Sequence, residues 1–485
     1  MRLFLLMQSI SANFVAGVDR FIAAPVFKNG VIRPCWMVAI CLLAAAAELA
    51  AQTQTTIQWP PSQIQTQGQA PPPAPMPSHQ MPAPGRPQSP TVIITLDQAI
   101  SYALNSPSVI AERTLISQNK EQEVTANLRP NPNLLGDAQF LPLFTPDLWS
   151  SNYIDTVAQF DLGVSYLFER GKKRQHRLQA AKDTTSVTEA QVRDFERTTA
   201  ANTAQQFVAA LLAKSNLDFA EHLLDSYQHT VSIAQEQNKA GAMSKADLLK
   251  IQLQTLQFQT DVNSAKIALV QALNTLRQLM GFDAVPRDYD ITGTLAYAPL
   301  AASVEDLEAK ALSLRPDLQA AQRGVAAAQS QIGLAKADAK QDVTLTADYT
   351  HLSSSNLASF FVNIPLPIFN RNQGEVARTY FALTQSQFQA KAAAQQVVTD
   401  VKNAYETLLN NRDIVQLYDN GYIQQAQQSL DIAQFAYQHG AASLLDFLDA
   451  ERSYRSTELA YRQALASYMA SLEQLRQAVG TRDVK

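Results

Sequence analysis

Between Lys172 and Ala240 the chain contains neither glycine nor proline, and no other feature limits its possible folds so strongly. These are the two residues that most readily end a helix. An unbroken helix over this run of about 70 residues would reach about 100 Å, at 1.5 Å per residue. No globular core covers a rod that long, so it must pack along other helices. Composition agrees: glycine is scarce at 16, and 11 of the 23 prolines fall between Pro60 and Pro90. Charged residues are 17%, below the ~25% usual in soluble domains. With a formal charge of −4 and no basic run, nucleic acid is excluded as a partner.

The sequence also repeats itself. Leu96-Asp97-Gln98-Ala99, running on to Pro107, has its counterpart in Val304-Glu305-Asp306-Leu307, running on to Pro316. Leu276-Arg277-Gln278 with Gly281 returns as Leu475-Arg476-Gln477 with Gly480. Gly241-x-x-Ser244-x-x-Asp247 returns at the same offset as Gly440-x-x-Ser443-x-x-Asp446. Two tandem copies follow, 93–302 and 303–480, with 481–485 as a tail. Each copy reads as short helix, medium helix, two strands, very long helix, tight turn and long helix. In the second copy Asn420-Gly421 should weaken or kink the long helix.

The returning helices carry the packing signal. Leu248, Ile251, Thr255, Phe258, Val262, Ala265, Leu269, Ala272, Leu276 and Leu279 alternate three and four residues apart. Phe447, Ala450, Tyr454, Thr457, Tyr461, Ala464, Tyr468, Ser471, Leu475 and Ala478 keep the same register. A sustained 3/4 spacing is one stripe facing a partner helix, as in a coiled coil.

Two short regions break that period. Phe160 to Tyr166 and Val343 to Tyr349 alternate apolar with small or polar residues, which describes strands with one greasy face. Leu134 to Phe140 and Phe360 to Phe369 are their expected neighbours, with loops at 141–156 and 350–359. Pro365 and Pro367 would disturb the fourth strand. Asp161 and Asp348 fall on the polar faces and are candidates for lining a pore. Two hairpins cannot close alone, and lipid tolerates no open edge. Meeting lipid therefore requires several chains to share one barrel.

The N-terminal 51 residues read as a secretory signal with an extended basic region: Lys28 and Arg33, an apolar run from Trp36 to Ala47, then Ala50-Ala51-Gln52. Both cysteines, Cys35 and Cys41, lie inside it, so the mature chain would have neither disulfides nor thiolate metal sites. Val38-Ala39-Ile40-Cys41 faintly resembles a lipoprotein box, but Ile40 is too large for its position. Residues 52–92, rich in proline and glutamine, read as a disordered tether.

The two interhelical turns are the sharpest functional candidates. Gly241 and Gly440 can adopt the left-handed conformation that ends a helix. Ser244 and Ser443 then stand as N-caps, with Asp247 and Asp446 three residues on, beside the positive helix end. A helical hairpin needs these residues merely to turn, and that reading accounts for all of them. The two aspartates could form a ring favouring cations. No histidine pair has metal-ligand spacing, no glycine-rich phosphate loop is present, and no catalytic constellation emerges. The expectation is a protein that is not an enzyme and holds no cofactor or metal.

From about Leu96 to Gly480 the order of elements and the repeat resemble the TolC-like outer-membrane efflux protein family. The strand-to-helix junctions Phe168-Glu169-Arg170-Gly171-Lys172-Lys173-Arg174 and Phe369-Asn370-Arg371-Asn372-Gln373-Gly374 are typical of it, with Arg170, Arg371 and Gly374 as the junction residues. Asn370-Arg371-Asn372-Gln373-Gly374 most resembles its heavy-metal branch, the outer components of cobalt–zinc–cadmium and copper–silver exporters. The resemblance implies a mainly α fold with a small membrane β region. It further implies a homotrimer whose twelve-stranded β-barrel in the outer membrane continues as an α-helical barrel through the periplasm. A periplasmic adaptor, docked at the Gly-x-x-Ser-x-x-Asp turns, and an inner-membrane RND-type pump would complete the conduit. The exit duct of a drug efflux or type I secretion system is a competing reading, as is a secreted coiled-coil scaffold without a pore.

Overall fold

The computed structural model describes residues 92–484. The expected signal and the expected tether before Val92, both cysteines and Lys485 lie outside the described residues. The chain opens with β1 (Val92–Ile94), α1 (Leu96–Leu104) and α2 (Pro107–Ala126), followed by β2 (Asn133–Gln139), α3 (Ser151–Thr156) and β3 (Gln159–Phe168). Next come α4 (Lys173–Lys239), α5 (Lys245–Met280) and β4 (Tyr289–Ile291). The second copy comprises α6 (Val304–Leu314), α7 (Pro316–Asp338), β5 (Val343–Leu352), β6 (Ser355–Asn363), α8 (Gln373–Leu417), α9 (Ile423–Gln438) and α10 (Leu444–Val479).

The breaker-free run forms the single 67-residue helix α4. Its counterpart is split: a π-turn at Tyr418–Tyr422 separates α8 from α9, with Gly421 at φ 115°. Only glycine adopts that conformation cheaply, so the kink sits where the sequence places it. Toward the strands the helices lie in the row α2–α4–α7–α8, and toward the interhelical turns in the row α5–α4–α10–α9. The expected stripes face inward. Ile251, Phe258, Val262 and Leu276 on α5 are buried, as are Phe447, Tyr468, Ser471 and Leu475 on α10.

Arg315, at the joint of α6 and α7, ties the second copy together. Only 4% exposed, its guanidinium pairs with Asp317 at 2.6 Å and with Asp400 of α8 at 2.8 Å. It also donates to the Ala478 carbonyl of α10 at 3.2 Å. The first copy has a different staple at that level, the parallel pair β1–β4. Lys214 of α4 grips Asp290 of β4 at 2.7 Å.

The remaining strands form one sheet in the order β2-β3-β5-β6, antiparallel throughout. The fourth strand lies earlier than its expected place at 360–369. Ser353 and Ser354 both take positive φ, 49° and 62°, so a two-residue turn suffices and β6 begins at Ser355. Most of the expected 350–359 loop is therefore strand. Pro365 and Pro367, lacking N–H donors, fall in the connector beyond it. No described helix is long and apolar enough to cross a membrane.

Candidate functional site

Strand register gives the sheet two chemically distinct faces. Asp161 lies opposite Asp137 of β2 and Thr350 of β5, and Gly163 lies opposite Asp348. With period-two alternation, Asp137, Asp161, Ser165, Thr346, Asp348 and Thr350 share one face. On the other stand Leu134, Phe160, Leu162, Val164, Tyr349, Phe360 and Val362, all exposed in the isolated protomer. The parity of β6 follows from Asp348 opposite Ser359 and Ala347 opposite Phe360. Asp161 and Asp348 thus share the polar face, while Leu135, Leu357 and Phe361 interrupt its polarity. Asp137 escaped the sequence reading, although its alternation with Ala138 and Gln139 carried the signal. Gly163 is closely approached: a Cβ there would lie 2.6 Å from the Asp348 carboxylate, which would have to swing aside, and 3.0 Å from the Ala347 carbonyl.

Both strand-to-helix junctions turn on a left-handed residue, Lys172 (φ 58°) before α4 and Asn372 (φ 59°) before α8. The Arg170 N–H donates to Asp342 at 2.9 Å, and Lys173 pairs with the same carboxylate at 2.7 Å. The Arg371 side chain donates to the Pro367 carbonyl at 3.2 Å. Gly374 follows directly on the junction. It lies within the first turn of α8 in open space, and Asn372 turns the chain, anchored to the Ala335 carbonyl at 2.9 Å.

At the far end of the rod, Gly241 and Gly440 adopt φ 76° and 73°. The Asp247 N–H donates to Ser244 Oγ at 3.1 Å, and Ser244 Oγ donates back to the carboxylate at 2.8 Å. Ser443 and Asp446 complete a reciprocal capping box. Hydrogen bonds from the serine hydroxyls hold both carboxyls below the usual carboxylate range, aided by Lys250 at Asp247 and by the Ser443 N–H at Asp446. Both aspartates therefore stay charged at neutral pH. The two turns meet in one apolar cluster, where Tyr227, Ile251 and Phe258 of the first copy contact Leu444 and Phe447 of the second.

Beside that cluster lies a group the sequence reading missed. Glu451, one turn beyond Phe447, is 5% exposed, and its Oε1 has no hydrogen-bond partner among the described residues. Arg455 would suit it at i+4, but reaches across to Asp261 of α5 at 2.6 Å. Burial, with Asp261 adding to it, pushes the Glu451 carboxyl above the usual range against the pull of Arg455 and Arg452. A folded-state pKa above the ordinary 4.5 means that this stability is full below about pH 4.5 and is lost as pH rises through the folded value. Glu451→Gln is expected to abolish that loss. By thermal unfolding it should match the parent near pH 4 and exceed it by about 1–3 kcal/mol at pH 8.

The protomer is thus a rod of paired helices continued by a four-stranded sheet with two chemically distinct faces and unpaired outer strands, β2 and β6. The family model described as outer membrane efflux protein matches residues 137–282 and 307–481. The chain belongs to the outer membrane efflux protein family. The cation efflux system protein CusC of Escherichia coli K12 is 27% identical over 376 residues, covering 73% of this chain and 80% of that one. The cobalt-zinc-cadmium resistance protein CzcC of Cupriavidus metallidurans is 25% identical over 393 residues, 80% and 89% of the two chains. A crystal structure of CusC superimposes with a TM-score of 0.65 at 23% identity, covering 84% of this chain and 99% of that one.

Proposed function

We propose that three copies of this chain form a passive duct across the outer membrane and periplasm, carrying heavy-metal cations out of the cell. The observation that carries the reading is the sheet: one apolar face, one face bearing three aspartates, and two unpaired edges, β2 and β6. Four strands from each of three protomers give a barrel of about twelve, an even count of the kind outer-membrane barrels use. The helical rows have unpartnered edges too. Leu249, Leu253 and Leu256 on α5, and Ile432 and Phe435 on α9, are exposed stripes that a neighbouring copy would cover.

The metal assignment rests on likeness to CusC and CzcC, and on the carboxylates along the path. Asp247 and Asp446 would recur as a ring at the periplasmic tip, favouring cations. The capped turns around Gly241, Ser244, Gly440 and Ser443 are where a periplasmic adaptor docks. Energy comes from an inner-membrane pump joined through it. Deleting the gene should lower the copper, silver, zinc, cobalt or cadmium concentration that the cells tolerate, and unchanged tolerance would overturn the cargo. Replacing both Asp247 and Asp446 with Asn should reduce cation-over-anion permeability of the reconstituted channel, read as its reversal potential in a salt gradient. An unaltered potential removes the ring.

A further inference from the structure

The helical end of β3 carries a feature that the duct does not use. A cavity of about 260 Å3 opens there, lined by Arg129, Tyr166, Phe168, Glu169, Lys172 and Arg174 among others. Its charges are unbalanced. Glu169 is taken by Arg177 at 2.8 Å. The remaining lysine, Lys173, is taken by Asp342 at 2.7 Å. Arg129, Lys172 and Arg174 have no carboxylate partner among the described residues. Three cations thus converge with nothing to neutralise them.

Their position says what would. Tyr166 and Phe168 continue the apolar face of β3 and meet edge to face at 4.7 Å, and Phe168 is 47% exposed. Aromatic residues at the end of an apolar strand face mark the interface between hydrocarbon and headgroup. The basic residues begin at the next level down the chain. The second copy has no equivalent: Asn370-Arg371-Asn372-Gln373 offers a single cation, and that side chain is bonded to the Pro367 carbonyl.

We infer that this cavity binds the phosphate of an anionic phospholipid in the inner leaflet, one per protomer, with the acyl chains lying along the apolar face of β3. The inference rests on that face meeting lipid. Each lysine or arginine near an anionic membrane surface adds to the attraction, so the three together should give a preference of about tenfold or more for anionic over zwitterionic headgroups.

The test uses the full chain in detergent, titrated with phosphatidylglycerol or phosphatidylcholine of identical acyl chains and read by native mass spectrometry. The unaltered protein should retain phosphatidylglycerol about tenfold more strongly. The combined variant Arg129→Gln, Lys172→Asn, Arg174→Gln should lose the preference, whereas Arg412→Gln on distant α8 should keep it. Asparagine suits position 172 because Asn372 holds the same left-handed conformation in the second copy. Equal retention of the two lipids by the unaltered protein overturns the inference without recourse to any variant. So does free glycerophosphate binding as tightly as the lipid, which would make the cavity a soluble-anion site. A trimer still dependent on detergent but without headgroup preference sinks this inference alone. A chain soluble without amphiphile sinks the membrane reading beneath it.

Discussion

Arginine at Val164 is expected to prevent the channel from accumulating in the outer membrane. Val164 lies near the middle of β3 on the apolar face and is 49% exposed in the isolated protomer. A cation at the midplane of a lipid-facing strand costs about 2–4 kcal/mol, and every copy in the assembly would bear it. Thr346→Arg is the matched control. Thr346 lies opposite Ser165, the next residue along β3, and therefore on the polar face. That variant should assemble and change conductance instead. Heat-resistant oligomer in outer-membrane fractions separates the outcomes. Equal assembly of both variants would mean that the two faces have been assigned wrongly.

The second large effect is expected inside the rod. Arg315→Met leaves Asp317 and Asp400 without their shared cation and leaves the Ala478 carbonyl without its donor. Removing one partner of a buried ionic cluster costs about 3–5 kcal/mol. The surface pair Lys239–Glu236, more than two-thirds exposed on both sides, should cost under about 1 kcal/mol when broken. Thermal unfolding in detergent compares them. Adding Asp317→Asn and Asp400→Asn to Arg315→Met should recover part of the loss, because the penalty lies in stranded charge rather than in missing attraction.

How much of this was legible in the sequence varied with the length scale of the signal. The 67-residue helix α4 announced itself through absent breakers, and the heptad stripes of α5 and α10 through a period sustained over many turns. Both sums are long enough for local exceptions to average out. The β1–β4 pair escaped because three-residue strands leave no periodicity to count, and their pairing joins residues near opposite ends of one copy. The start of β6 was misplaced because it depends on Ser353 and Ser354 adopting positive φ, which serine does rarely. Gly374 drew attention as a glycine, but the left-handed position belongs to Asn372. Glu451 could not be found at all by pattern. Its burial depends on two hairpins from different repeats closing around it.

The two copies also differ mechanically. One runs outward along an uninterrupted strut, while the outgoing helix of the other contains a soft spot at Asn420-Gly421, where the backbone leaves helical geometry. Bending stiffness in a helix comes from its continuous ladder of hydrogen bonds, and a break concentrates curvature at one place. A load applied at the tip would therefore be absorbed unevenly: the first repeat would transmit it along its length, and the second would flex about one point. Sequence duplication has produced a strut and a hinged lever from nearly the same parts.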